Sequence, residues 1–247
     1  MANFPPLKRY VLRMIDQMIE KYSLRGPFLD AGCGVGDVAA HIARRGWEGL
    51  AVDCTPAAVE AARRNLAGTG VRTKVSELLD VSGEFRLVVL CTVIEHIRDD
   101  RTLLRHLHTL YPQDSSPGHL IVSLPSNPAV EWRWDDNFYG HFRRYTRADV
   151  EQMLAACGFR LVCYWDYTFP VFWAMRRAYT ALLPAKKPRS IVPEENTYES
   201  SLQSAWQLGP ASRALAAMPI WPWVFSLQER YRDGERGFEA IALAERI

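Results

Sequence analysis

The stretch Phe28-Leu-Asp-Ala-Gly-Cys-Gly-Val-Gly-Asp37 ends an apolar run and opens a helical pattern. A turn carrying Gly32, Gly34 and Gly36 between a strand and a helix fits few architectures, because it needs a strand tip facing a helix N-terminus. The flanking pattern agrees. Short apolar runs over 27–30, 49–53, 71–75, 87–91 and 118–124 alternate with helical patterns over 38–45, 56–67 and 99–110. Strands that are apolar throughout and separated by helices predict a parallel sheet covered on both faces. A helix over 149–157, a strand over 159–165 and a last strand over 238–243 follow. Residues 126–145 have no clean period, and residues 169–237 form an insertion between the last two strands. The chain therefore divides into a core of 1–168 and 238–247 and an inserted cap or interface segment of 169–237.

The ligand at the glycine turn follows from charge. A second strand ends in Asp53, about twenty residues on, where a carboxylate can accept hydrogen bonds from ribose hydroxyls. A dinucleotide turn wants a third glycine where this chain has Asp37. A carboxylate there also faces a pyrophosphate poorly at the positive helix end. S-adenosylmethionine lacks phosphate and carries a sulfonium and an ammonium, which suit Asp30 and Asp37. A glycine turn holding no ligand is the bland alternative.

Asp-Ala-Gly-Cys-Gly-Val-Gly, the Val52-Asp53 pair and Leu90-Cys-Thr-Val-Ile-Glu-His-Ile-Arg-Asp99 resemble class I S-adenosylmethionine-dependent methyltransferases, in the set that includes ubiquinone-pathway O-methyltransferases. The resemblance covers 27–123, 146–165 and the last strand. It implies a Rossmann-like, doubly wound α/β fold with a mostly parallel seven-stranded sheet, an antiparallel last strand and an aromatic-rich helical insertion before it. It also implies S-adenosylmethionine as cofactor and S-adenosylhomocysteine as product. Asp30, Gly32 and Gly34 would lie along its methionine part, Asp53 at the ribose and Cys54 beside the adenine. Ser76-Glu77-Leu78 matches the loop that meets the adenine amine, and Cys91 would line the floor near the sulfonium. Phe85-Arg86 departs from the family's usual Phe-Asp, and the longer loop 112–118 departs from its short Pro-Gly-Gly turn.

Methyl transfer to oxygen needs alignment, exclusion of water and a base. His141, in Tyr139-Gly-His-Phe-Arg-Arg-Tyr-Thr146, is the leading base candidate, and His96 is the second. Glu95-His96 has a structural alternative, which is to fix its loop, and His41 reads as a surface or packing residue. Tyr139, Arg143, Arg144 and Trp173 are candidate acceptor contacts. The arginines, with Arg147, can clamp a carboxylate or phosphate, or instead pair with Asp135, Asp136, Asp149 and Glu151. Thr146 is a good N-cap for the next helix. Gly-His-x-Arg-Arg-Tyr-Thr also resembles methyltransferases of envelope glycan, lipid or secondary-metabolite pathways.

Composition sharpens the division. Of 28 aromatics only 7 precede residue 131, and seven of eight Trp follow it. The insertion carries Arg176, Arg177, Lys186, Lys187 and Arg189 without an acidic residue up to Pro193, interleaved with Phe169, Phe172, Trp173 and Tyr179. A later run, Pro219-Ile-Trp-Pro-Trp-Val-Phe225, adds aromatic surface. A cap over an aromatic-walled acceptor pocket, peripheral membrane contact and a homodimer surface are all consistent with it. A small-molecule or lipid-like acceptor follows, in a cytoplasmic or membrane-peripheral protein. A net charge of +2 argues against a nucleic-acid partner. Five cysteines without a C-x-x-C pair argue against disulfides and zinc ribbons, and no metal ligands are assigned. The N-terminal pattern, interrupted by Lys8, Arg9, Arg13, Asp16 and Glu20, reads as an amphipathic helix rather than a signal peptide.

Overall fold

The computed structural model describes residues 4–114, 117–187 and 210–247. Its centre is one seven-stranded sheet: β1 (Phe28–Ala31), β2 (Gly49–Asp53), β3 (Val71–Val75), β4 (Leu87–Cys91), β5 (His119–Pro125), β6 (Phe159–Asp166) and β7 (Glu239–Arg246). Their order is β3-β2-β1-β4-β5-β7-β6. β7 runs antiparallel to both neighbours, and every other pairing is parallel. The chain crosses from one half of the sheet to the other between β1 and β4. That switch point leaves a crevice at the carboxyl ends of the strands, where ligands of such sheets bind.

Alternation along the strands builds two cores. Phe28, Ala51, Leu87, Val89, Ile121, Ile241 and Leu243 face one side, and Leu29, Ala31, Leu50, Val52, Val88, Leu90, Leu120 and Val122 the other. The first side is covered by α1 (Pro6–Lys21), α2 (Asp37–Ala43) and α3 (Pro56–Asn65). The second is covered by α4 (Asp100–His108) and α7 (Arg147–Ala155). Helix starts follow the expected signals. Pro56 opens α3. Asp99 accepts from the Thr102 backbone N–H at the start of α4, and Thr146 and Asp149 form a reciprocal capping box at α7.

Residues 126–145, read as aperiodic, contain two short helices, α5 (Pro128–Glu131) and α6 (Trp134–Tyr139). Four and six residues are too few for a 3.6-residue period to show. The insertion contributes α8 (Val171–Leu182) and the helices Pro210–Ala217 and Trp221–Glu229. Arg189 and its neighbours lie outside the described residues.

The described insertion helices share a core with α1. Tyr10 of α1 stacks on Phe225 at 4.8 Å, Phe172 stacks on Trp221, and Arg9 donates to the Ala216 carbonyl at 3.0 Å. Arg13 and Gln17 bond Glu229 at 2.7 and 2.9 Å. Buried aromatic pairs of this kind contribute about 0.5–1.5 kcal/mol each beyond their area. The amphipathic N-terminal helix thus lies between the sheet and the insertion. No described helix is long and apolar enough to cross a membrane.

Candidate functional site

The glycine turn is held by the sheet beside it. Gly32 and Cys33 donate their backbone N–H groups to the Val52 carbonyl, each at 2.8 Å. Gly32 has φ +77, and a Cβ there would lie 2.5 Å from Val93 Cγ2. Glycine is therefore required by backbone conformation and by the close approach of the loop after β4. Gly34, at φ +51, donates to Asp53 Oδ2 at 2.9 Å.

Asp53 links the turn to the tip of β2, because its Oδ1 also accepts from the Thr55 backbone N–H at 2.8 Å. Each carboxylate oxygen has a second lone pair, so both can still accept a ribose hydroxyl. Asp30 is buried and accepts from Ala39 N at 2.9 Å. Burial pushes its carboxyl up to about 7, with Lys8 opposing and Asp37 and Asp53 adding to the rise. A buried carboxyl lacking a cation in contact fits the ammonium end of S-adenosylmethionine better than a pyrophosphate. Cys54 is half-buried, and its thiol is raised by burial and then by Asp53 and Glu77, which places Glu77 near it. Glu77 is exposed and Leu78 partly buried on a single 3-10 turn. Cys91, at the end of β4, is pushed up to about 12 by burial, with Asp30, Glu239 and Glu95 among its charged neighbours. A thiol held protonated in this way is a poor nucleophile.

The loops after β4 and β5 meet across the switch point from the glycine turn, where the sequence expects the acceptor. Phe142 N donates to the Glu95 carbonyl at 2.9 Å, which ties the two loops together. The rings of His96 and His141 meet edge to face at 4.9 Å. His141 Nδ1 bonds Asp136 Oδ1 at 2.9 Å. Burial, then His141, pushes His96 down to about 3, so it is neutral at physiological pH. Burial pushes Glu95 up to about 7 against the pull of His141, and its Oε2 has no hydrogen-bond partner. Burial opposes the Asp136 anion, but the bonds to His141 and Arg144 outweigh it and hold this carboxyl well below the usual range. Tyr139 stacks against His141 at 6.4 Å, and Tyr139 and His141 belong to one cluster with His96.

Arg144 departs from an acceptor clamp. Its guanidinium is buried, with bonds to Asp136 Oδ1 at 2.7 and 2.8 Å and to the carbonyls of Ser126 and Phe238 at 2.9 and 2.8 Å. Arg143 reaches away to Asp100 and to the Arg98 carbonyl, at 2.5 and 2.6 Å. Both arginines thus have carboxylate partners, Asp136 for Arg144 as the sequence allows and Asp100 for Arg143. Trp173 donates its indole N–H to buried Glu131 at 3.0 Å. Arg176 and Arg177 bind Asp135, Asp136 and Glu131, which fastens α8 to α5 and α6. His41 is buried between Asp16 and Arg44.

Three features escaped sequence reading. Glu239 is partly buried at the start of β7 and receives a hydrogen bond from Tyr167, whose hydroxyl also meets Ser123 Oγ at 3.2 Å. A lone Glu opening an apolar strand was its only signal. Thr92 and Asn127, the residues just beyond β4 and just beyond Ser126 after β5, hold φ of 55 and 56. Left-handed backbone at non-glycine residues costs on the order of 1–3 kcal/mol and clusters at functional sites. Asn is enriched in that region, so only the Thr92 conformation goes unannounced by its residue type.

A doubly wound sheet with a glycine turn, an acid at the tip of β2 and a polar cluster across the switch point defines a nucleoside-binding α/β protein. The chain belongs to the methyltransferase-domain family, whose family model matches residues 6–164. S-adenosylmethionine is the methyl donor of that family. The chain is 28% identical over 132 residues to the ribosomal RNA small subunit methyltransferase C of Alcanivorax borkumensis, covering 51% of this chain and 40% of that protein. It is 37% identical over 108 residues to a ubiquinone biosynthesis O-methyltransferase of Methylocella silvestris, covering 42% and 41%. The chain thus spans less than half the length of these two relatives. Among solved structures, the [4+2]-cyclase SpnF superposes with a TM-score of 0.59 at 18% identity, over 95% of this chain and 80% of that one. At that identity the likeness shows the fold alone.

Proposed function

We propose that this chain transfers a methyl group from S-adenosylmethionine to an oxygen of a small ring-containing or lipid-like acceptor, in a secondary-metabolite or envelope glycan or lipid pathway. The observation that carries the proposal is the Asp136–His141 pair, set beside His96 and tied to the loop after β4. Asp136 holds the His141 Nδ1 proton, which leaves Nε2 as the basic nitrogen. His96 is neutral and does not repel the imidazolium that forms.

When bound, the cofactor supplies an electrophilic methyl on a sulfonium. His141 Nε2 would take the acceptor's hydroxyl proton, leaving that oxygen free to receive the methyl the cofactor would supply. Asp136 stabilises the imidazolium electrostatically. Asp53 and the Gly32–Gly34 backbone orient the cofactor, and Tyr139 and Trp173 wall the acceptor side. The exposed Trp223, Leu182 and Ile220 of the insertion support an apolar contact with a membrane surface.

The test is turnover of a panel of phenols, hydroxyquinolines and long-chain alcohols with S-adenosylmethionine, read by mass spectrometry. His141→Asn should lower kcat on the best acceptor by about 100-fold or more and leave S-adenosylhomocysteine affinity unchanged. Binding of S-adenosylhomocysteine without turnover on any acceptor would favour a cofactor-binding regulatory role instead. Products methylated on nitrogen or carbon would move the assignment to that atom.

A further inference from the structure

We propose that Glu239 anchors the acceptor, and that the acceptor it selects carries a cationic nitrogen, such as a protonated amine, in addition to the hydroxyl that receives the methyl. This rests on the transfer reading above and names the chemistry of its substrate.

Topology puts Glu239 at the crevice. β7 runs antiparallel to β5, and Glu239, its first residue, pairs with Pro125 at the carboxyl end of β5. Alternation places its side chain on the face of Ile241 and Leu243. Cys91 and Ser123, paired in register at the ends of β4 and β5, share that face with Val89 and Ile121. Cys91, Ser123 and Glu239 thus gather at one edge of the sheet, where the sequence expects the sulfonium. His141 is a charged neighbour of Glu239, so anchor and base belong to one site.

The carboxylate is oriented from behind and open in front. Its Oε2 accepts from the Tyr167 hydroxyl, which also meets Ser123 Oγ at 3.2 Å. Among the described residues no hydrogen bond reaches Oε1, and the side chain is partly exposed. A fixed carboxylate with a free oxygen is a receptor for a hydrogen-bond donor.

Charge decides which donor. Glu95 is 1% exposed, its Oε2 has no hydrogen-bond partner, and it is a charged neighbour of both Glu239 and Cys91. Arg144 and Arg176 also act on Glu239, but they are bonded to Asp136, Asp135 and Glu131. Among the described residues no cation forms a salt bridge with Glu95 or Glu239. A neutral donor leaves these two carboxyls repelling each other. A cationic nitrogen offsets that repulsion and makes a charge-assisted hydrogen bond to Oε1.

Phenols that differ only in an amine provide the experiment: tyramine against 4-ethylphenol, and dopamine against 4-ethylcatechol. Binding to the full-length chain loaded with S-adenosylhomocysteine is read by calorimetry, and methyl transfer by mass spectrometry. The amines should bind and react about 10-fold better or more. Glu239→Gln should abolish that advantage and leave S-adenosylhomocysteine affinity unchanged. Tyr167→Phe keeps the charge and removes its orientation, so it should shrink the advantage severalfold; it carries the test if Glu239→Gln does not fold. No amine advantage in the native chain, or an advantage that survives in the folded variant, overturns the anchor. An equal loss of S-adenosylhomocysteine affinity in Glu239→Gln also overturns it, by giving the carboxylate to the cofactor's ammonium. Amine binding that needs Glu239, without transfer to any acceptor, keeps the anchor and removes the transfer reading. Transfer to the uncharged phenols alone keeps that reading and removes the anchor.

Discussion

The cofactor side and the acceptor side of the crevice are built by different means. Around β1 and β2 the decisive contacts are backbone groups meeting two carboxylates: Gly34 and Thr55 on Asp53, and Ala39 on Asp30. Partners lie between two and nineteen residues apart. Across the switch point the contacts are made by charged side chains, some to near neighbours and some to distant segments. Asp136 alone receives His141, Arg144 and Arg176, and Arg144 also reaches Phe238, 94 residues away. Local backbone geometry can be encoded by a short motif, whereas a buried ion network is encoded by the fold as a whole.

The largest expected effect comes from breaking that network. Asp136→Ala leaves Arg144 and Arg176 buried with less compensation and frees His141. Removing one partner of a buried ion pair typically costs about 3–5 kcal/mol. Chemical denaturation should show a loss of that size. A loss under about 1 kcal/mol would mean that the charges are solvated and that the two sides differ less than the contacts indicate.

Next comes Gly32→Ala on the cofactor side. The left-handed φ and the 2.5 Å approach of Val93 Cγ2 both oppose a Cβ. We expect a loss of about 1–3 kcal/mol, in the range for a strained backbone position. Adding Val93→Ala should recover part of it, because only the clash is relieved. Full recovery would assign the whole cost to packing and none to φ.

The same contrast explains what was legible in the sequence. The glycine turn, Asp53, the seven strands and the Thr146 cap were readable because each depends on neighbours within a few residues or on strand-wide alternation. The pairing of Arg143 with Asp100, of Trp173 with Glu131 and of Tyr167 with Glu239 was not. Those pairs are 43, 42 and 72 residues apart. The sequence offered carboxylates in several places and no rule for choosing among them. The insertion's cations illustrate the same limit. Arg176 and Arg177 read as part of a basic run, but their charge is spent inside the molecule.

The cofactor side also predicts a pH dependence. Asp30, raised to about 7 by burial, binds a cationic ammonium best when ionised. Affinity should therefore rise as pH rises through 7 and fall below it. From pH 8 to pH 6, S-adenosylhomocysteine affinity measured by calorimetry should drop about tenfold, since each unit below the pKa costs up to a factor of ten. Asp30→Asn should flatten that slope. A slope that survives in Asp30→Asn would point instead to the acceptor side, where Glu95 is raised to a similar value.

The smallest effect on stability is expected at Trp223, which is 82% exposed, two residues from Trp221 at 2%. The two indoles share one helix and divide its work. Trp221 stacks on Phe172 and donates to the Leu215 carbonyl at 2.8 Å, so it belongs to the core shared with α1. Trp223 spends a large apolar side chain on solvent, where folding gains nothing from it. Trp223→Ser should change stability by less than about 0.5 kcal/mol. If the insertion rests on a membrane, the same substitution should reduce flotation with anionic liposomes severalfold, because the interface favours an exposed indole. Stability and flotation unchanged together would leave the exposed indole to another partner. A drop in stability would instead place Trp223 in the packing of the insertion and erase the distinction between its two faces.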